Sequence, residues 1–226
     1  MLIWFRSLKA RSKYSGQSFV ELALILPVVL LLLIGLVEVG FVFYAYLTVL
    51  DQTREAARFA SIRDYRSGVE SGIANPIVTC DDNRLDYFYD IACFFIDPDL
   101  NPYITFESAD YDDVAISVFT VNDNHVSNRW PDDSDGVWSL FNDNWKKDCE
   151  GNLIHSEPFM TNDEIEALFV SDAPSDRGLV LVEGYYCYDL FLNLPVVSQL
   201  VPSPFRIHAY TIMPASEAIP TPTPIP

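Results

Sequence analysis

Positive charge is scarce in this chain. Its 226 residues include 14 lysines and arginines against 32 aspartates and glutamates. Four of the bases, Arg6, Lys9, Arg11 and Lys13, stand in the first 16 residues, which hold no acid. The remainder therefore carries 10 bases against all 32 acids, a net charge of −22. So acidic a surface repels phosphate backbones, and the aromatics are not interleaved with bases, which excludes nucleic acid as a partner. The signatures of catalysis are missing too: there is no GxSxG, no HExxH and no glycine-rich phosphate loop. No two of the four cysteines form a CxxC, and His125, His155 and His208 sit at no ligand-like offset from them. In "DPDLNPY" (97–103) acidic and amide side chains alternate as in calcium loops, but Pro102 occupies the place of the glycine that such loops need. No enzyme, no metal and no cofactor is expected.

What the chain has instead is one long apolar run, Phe19 to Leu50, interrupted by Glu21 and Glu38. The sixteen residues between those glutamates carry no polar side chain. At about 1.5 Å per residue they reach ~24 Å, and residues 39–50 extend the run beyond the ~30 Å of a hydrocarbon core. A buried core helix is rarely apolar on every face for this length. A cleaved secretory signal has a shorter apolar region and a small-x-small site, which 35–46 does not offer. The run predicts a membrane helix over 17–50, and Pro27 does not forbid it.

Counting Lys and Arg on either side leaves the orientation tied, because Arg54, Arg58, Arg63 and Arg66 follow the run. Long domains translocate largely regardless of charge, and the four cysteines, Cys80, Cys93, Cys149 and Cys187, all come after the run. The expected topology is a cytoplasmic N-terminus and an extracytoplasmic domain with two disulfides. Three pairings are possible, of which Cys80 with Cys93 closes the shortest loop.

Beyond Leu50 the helix is expected to continue over 51–72, with Ala56, Ala57, Ala60 and Ser61 as a small-residue packing face. Asp51, Arg54, Glu55 and Arg58 form opposite-charge pairs on the other side. A helix of about fifty residues would measure ~75 Å, so its second half needs a packing partner. The candidate is a sheet: 113–121, 178–188 and 205–213 are rich in β-branched and aromatic residues. Thr161 and Glu164 form a capping box before Ile165, Leu168 and Phe169. The Asp- and Asn-rich stretch 122–148 reads as solvated loop. The apolar stretch 190–205, broken by three prolines, reads equally as a cap on the sheet or as an exposed patch meeting lipid or a neighbouring subunit. Residues 214–226 read as an extended, Pro-rich tail. The fold class is α+β: a basic leader (1–16), a membrane helix (17–50), its continuation (51–72), and a domain over 73–213 with a small antiparallel sheet packed on that continuation.

Gly16 followed by Gln17-Ser18-Phe19-Val20-Glu21, after a basic leader and before an apolar helix, resembles a type IV prepilin cleavage site. More narrowly, 16–61 with Pro27, Gly35, Glu38, Gly40, Tyr44, Tyr46 and the Arg54–Arg58 segment resembles the TadE-like pseudopilins of the tight-adherence (Tad/Flp) pilus apparatus. The closing segments, 178–188 and 205–214, resemble that family's last strands, whereas Leu22 stands where its members usually carry an aromatic. The resemblance implies a pilin-like domain, cleavage between Gly16 and Gln17 by a prepilin peptidase, and assembly contacts through Glu21 and Glu38. It also implies other pilins or pseudopilins, the Tad assembly platform and membrane lipid as partners. In that class the glutamate attracts the new N-terminus of a neighbouring subunit, so that two charges are neutralised together in lipid. The competing reading is an uncleaved, single-pass, membrane-tethered binding or adhesin module.

Overall fold

A computed structural model describes residues 17–65, 86–99, 102–131, 136–169, 176–191 and 202–219. Its architecture is α+β: a long N-terminal helix followed by an antiparallel sheet. The helix, α1, runs unbroken from Gln17 to Ser61 and contains Pro27. By its contacts the chain divides into Met1–Phe41 and Val42–Pro226. The described part of the first unit is apolar helix; the second contains the remainder of α1 and all other described elements.

The helix ends earlier than expected. Ser61 closes it, and Arg63 donates its backbone N–H to the Ala60 carbonyl at 3.1 Å, so 62–65 is already a turn. The expected continuation to 72 is thus corrected within the described residues. The physical cause lies in packing: Arg63 leaves the helix to meet Asp90 at 2.6 Å while its guanidinium lies over Phe59. Asp90 belongs to a second helix, α2 (Tyr87–Phe95), whose N-cap Asp86 accepts the Phe88 N–H.

The strands are β1 (Asp113–Asn122), β2 (His125–Trp130), the two-residue β3 (Trp138–Ser139), β4 (Arg177–Tyr188) and β5 (Phe205–Pro214). Four of them lie in the order β2-β1-β4-β5, β3 also pairs with β1, and every pairing is antiparallel. The three expected strands are therefore present, as β1, β4 and β5. The short helix α3 (Asn162–Ala167) begins at the expected capping box, with Thr161 and Glu164 satisfying each other's backbone N–H. The stretch 122–148 is not simply solvated loop: it supplies β2 and β3 and buries Val137 and Trp145.

The sheet is a middle layer. Val114, Ile116 and Val118 of β1, with Val180 and Val182 of β4 and Ile207 and Ala209 of β5, pack in one core with Ala45, Val49, Ala56, Ala57 and Ala60 of α1. Ile91, Ala92 and Phe95 of α2 complete it. The predicted small-residue face is thus the packing face, for Ala56, Ala57 and Ala60 are fully buried. Small side chains let the helix backbone approach the strands, and Gly184 carries this furthest. A Cβ there would stand 2.7 Å from Phe95 and 2.9 Å from Val49. At the edge, the Thr53 and Thr211 hydroxyls meet at 2.9 Å. On the other face, Phe119, Val121, Leu179 and Leu181 pack on Met160 and Ile165, and Ala115 and Tyr185 pack on Val137 and Trp145. Burial of both faces is unusual for an antiparallel sheet, and it explains why β1 is buried at nine of its ten positions.

Candidate functional site

Three places in the molecule carry chemistry. The first is the N-terminal half of α1. Large apolar residues from Phe19 to Leu33 are exposed on all sides of the helix, Leu24 at 71%. Among the described residues α1 is the one helix long and apolar enough to cross a membrane, and none of its most apolar stretch is buried. An apolar surface of this extent is a contact surface for lipid or protein. Gly16 lies outside the described residues, as does the side chain of Gln17, with which the helix begins. Glu21 is exposed, whereas Glu38 is buried at 4% exposure. The structure does not bring these two glutamates together: seventeen residue steps of helix separate them by about 26 Å.

The second place is a buried polar cluster on the face of the sheet away from α1, which sequence reading missed. Asp113 is completely buried, yet both its oxygens are served. One accepts the Val114 and Phe141 N–H groups at 2.9 and 3.0 Å, the other the Ser139 hydroxyl at 2.7 Å and the Trp145 N–H at 2.9 Å. Asp112 accepts from the Glu107 and Cys187 N–H groups at 2.9 and 2.7 Å. Burial pushes both carboxyls up to about 6, against the pull of these donors. Arg206, set opposite Cys187 on β5, donates to the carbonyls of Tyr111, Asn144 and Trp145 and lies over the Tyr185 ring. Burial lowers its pKa. Beside it, the buried Glu183 accepts from Tyr185 at 2.9 Å and lies 3.1 Å from His208 Nε2, while the His208 and Tyr185 rings stack. Arg206 Nε apart, the polar atoms of these contacts turn toward a backbone group or a neighbour, not toward a common open point. The cluster therefore fastens the 136–148 connection to the sheet. A signal was present: Asp112-Asp113 directly precede the apolar alternation of β1, where acids have no reason to be unless they bind backbone N–H groups.

A disulfide stands beside this cluster. Cys149 and Cys187 are joined, tying the long connection to the end of β4 across 38 residues. Cys93 in α2 is also disulfide-bonded, and no described cysteine is free. Cys80 lies outside the described residues. Most of 190–205 does as well; of its first residues, Leu190 is buried and Phe191 exposed. No group of described His, Cys, Asp and Glu side chains could hold a metal ion.

The third place is a cleft of about 630 Å³ between α1 and the end of α2 with residues that follow it. Tyr44, Leu47, Thr48, Asp51, Gln52 and Glu55 form its helical wall at i, i+3 and i+4 spacing, with Arg54 at the side. Phe94, Phe95, Pro102 and Tyr103 face them. The Tyr44 and Tyr103 rings meet edge to face with centroids 6.3 Å apart, and Tyr103 is 77% exposed. Tyr44 falls within the stretch resembling a known family, but Gln52 and Tyr103 were not expected to matter.

Comparison with known proteins supports the reading of the helix. A family model described as TadE-like protein matches residues 16–58, the same segment whose residues resemble that family. The match suggests a protein associated with the Tad pilus. It covers the leader glycine and nearly all of α1, and none of the sheet. No curated protein and no solved structure matches the chain.

Proposed function

We propose that this protein is a non-enzymatic minor pilin or pseudopilin of a Tad (Flp) type pilus or related secretion apparatus. It is anchored by α1 in the cytoplasmic membrane, with residues 1–16 in the cytoplasm and the sheet domain outside. The observation that carries this reading is a coincidence. The segment matching the TadE-like family is the helix whose apolar side chains stand exposed at its N-terminal half. A helix that serves first as a membrane span and then as a contact for neighbouring helices needs such a surface. A prepilin peptidase removes the leader after Gly16, whose missing side chain lets the enzyme approach the backbone. The new ammonium of Gln17 lies about 6 Å of helix rise from Glu21. An ionised side chain costs roughly 2.5–3.5 kcal/mol near the bilayer centre on insertion scales, and pairing with the ammonium of a neighbouring subunit offsets whatever part of that cost Glu21 meets in lipid. Other pilins and the assembly platform are its partners.

The test compares three chains expressed with the rest of the apparatus. Wild-type protein should begin at Gln17, and Gly16→Val should remain about sixteen residues longer. Glu21→Ala should be processed normally while its incorporation into pili, or co-purification with other pilins, falls. Wild-type protein that begins at Met1 would overturn processing in favour of the tethered module. Normal assembly of Glu21→Ala would overturn the role of the carboxylate.

A further inference from the structure

The two edges of the sheet are finished differently. β2, at one edge, is six residues long, its register with β1 shifts between Thr120 and Val121, and Pro131 follows it. Its Val126 N–H is already taken by Glu166, beside the end of α3, at 2.8 Å. Short length, a bulge and a covering residue are devices that keep an edge from pairing. β5, at the other edge, has ten residues in unshifted register with β4, no lysine, and a proline only at its last position. The phase of its ladder follows from one bond, in which Ala215 donates its N–H to the Gly178 carbonyl at 2.9 Å. Counting back by twos, Met213, Thr211, Ala209 and Ile207 turn their backbone groups to β4. Arg206, His208, Tyr210 and Ile212 turn theirs away from the sheet, and no strand among the described residues pairs with them there. Beside this edge the Phe159 and Tyr210 rings lie with centroids 5.4 Å apart, 46% and 42% exposed.

We infer that β5 is an acceptor edge for an extended strand of a different pilin subunit, which joins the sheet through main-chain hydrogen bonds. The inference rests on the pilin reading and names the surface by which the domain meets its neighbour. A second copy is the wrong occupant on two grounds. Antiparallel pairing of β5 with itself needs a two-fold axis normal to the sheet, which reverses the direction of residues 42–61 packed on that sheet. Chains anchored in one membrane run that helix in the same sense. The net charge of −22 after residue 16 also sets two such domains against each other. The strand that fits is therefore foreign and free of acids. Apolar side chains at its alternate positions meet the Phe159 and Tyr210 rings. Glu217, exposed just past the C-terminal end of β5, favours a base where an antiparallel strand begins.

Full-length protein is purified in mild detergent twice, once expressed alone and once from cells making the whole apparatus, where it carries its pilin neighbours. Amide hydrogen exchange across β5 is read residue by residue by nuclear magnetic resonance. In the protein alone, the amides of Arg206, His208, Tyr210 and Ile212 should exchange fast beside the protected Ile207, Ala209 and Thr211. In the assembled sample they should slow by on the order of 100-fold. Tyr210→Pro removes one outward N–H and keeps the bonds to β4, so recovery of other pilins should fall about tenfold while the domain stays folded. Tyr210→Ala keeps that N–H and should lose less. Assembled samples in which the four amides exchange as in the protein alone overturn the acceptor edge, whether or not the proline variant folds. A folded Tyr210→Pro that recovers pilins like wild type overturns it as well. Outward amides already protected in the protein alone overturn it too, since the edge is then covered from within the chain. Disulfide-linked dimers of Tyr210→Cys give the edge to a second copy and overturn the foreign strand. Wild-type protein that recovers no other pilin from those cells overturns the pilin reading and the strand with it.

Discussion

The two halves of α1 invert the usual relation between apolar character and burial. From Phe19 to Leu33 the side chains are large and apolar, and they are exposed. From Ala45 onward the buried positions are mostly small: Ala45, Val49, Thr53, Ala56, Ala57 and Ala60. The difference shows that burial inside this chain is a matter of close approach. Alanines on the helix and Gly184 on β4 narrow the gap between backbones, and the area removed from water comes from the strands and α2. The first half has no such small face. Its surface suits a medium that adapts to the helix, such as lipid, or neighbouring helices.

The contrast predicts that substitutions in the two halves act on different observables. The largest expected effect on stability lies far from both, at Asp113. Replacing it with Ala strands three backbone N–H groups and the Ser139 hydroxyl in the interior. The expected loss is about 3–5 kcal/mol, read as a lower urea midpoint of the full-length protein in detergent. A loss below about 1 kcal/mol would mean that water takes over those bonds.

Next comes the disulfide. Cys149→Ser with Cys187→Ser releases a 38-residue loop and should cost about 2–4 kcal/mol. The same measurement under reducing conditions should bring wild type toward the double variant. A wild type indifferent to reduction would place its stability elsewhere.

The halves of the helix are compared directly by Ala57→Leu and Leu30→Ala. Overpacking at Ala57 should cost about 1–3 kcal/mol of domain stability. Leu30→Ala, on the exposed half, should change it by less than about 0.5 kcal/mol while weakening retention in liposomes. Equal losses in the urea midpoint would abolish the distinction between the halves.

The pH dependence offers a smaller and finer test. Asp112 and Asp113 titrate near 6 when folded, above the ordinary 3.8. Between those values the folded chain binds more protons than the unfolded one, so stability falls as pH rises from about 4 to about 6 and is level above. The readout is the sign of this slope, a urea midpoint that falls across that range. Asp113→Asn should flatten the curve, and an unchanged slope in that variant would assign the titration to other groups.

Part of the fold is legible in the amino-acid sequence, and the reasons differ by element. The apolar run announces α1 because sixteen uncharged residues in succession have few alternatives. The alternation in β1, β4 and β5 announces strands because both neighbouring strands and packing layers demand β-branched residues there. By contrast α2 is hidden: "YFYDIACFF" is mostly aromatic in composition, and its helical spacing matters only once Ile91, Ala92 and Phe95 have a core to enter. Asp113 and Arg206 are hidden for a related reason. Their partners are main-chain groups of distant residues, and no local pattern encodes a backbone N–H made available by a loop 28 or 32 residues away.

Local chemistry is enough to set the long helix, the acidic domain after it, the antiparallel strands and the capping box of α3. It acts through the hydropathy of consecutive residues, the period of two, and a side chain that reaches its own helix end. Packing alone settles where α1 stops, that Cys149 meets Cys187, that a buried aspartate secures the 136–148 connection to the sheet, and that Tyr103 comes to stand beside Tyr44. Those outcomes depend on which backbone groups and side chains come within a few ångströms across large sequence separations, and contact at that range is a property of the packed chain.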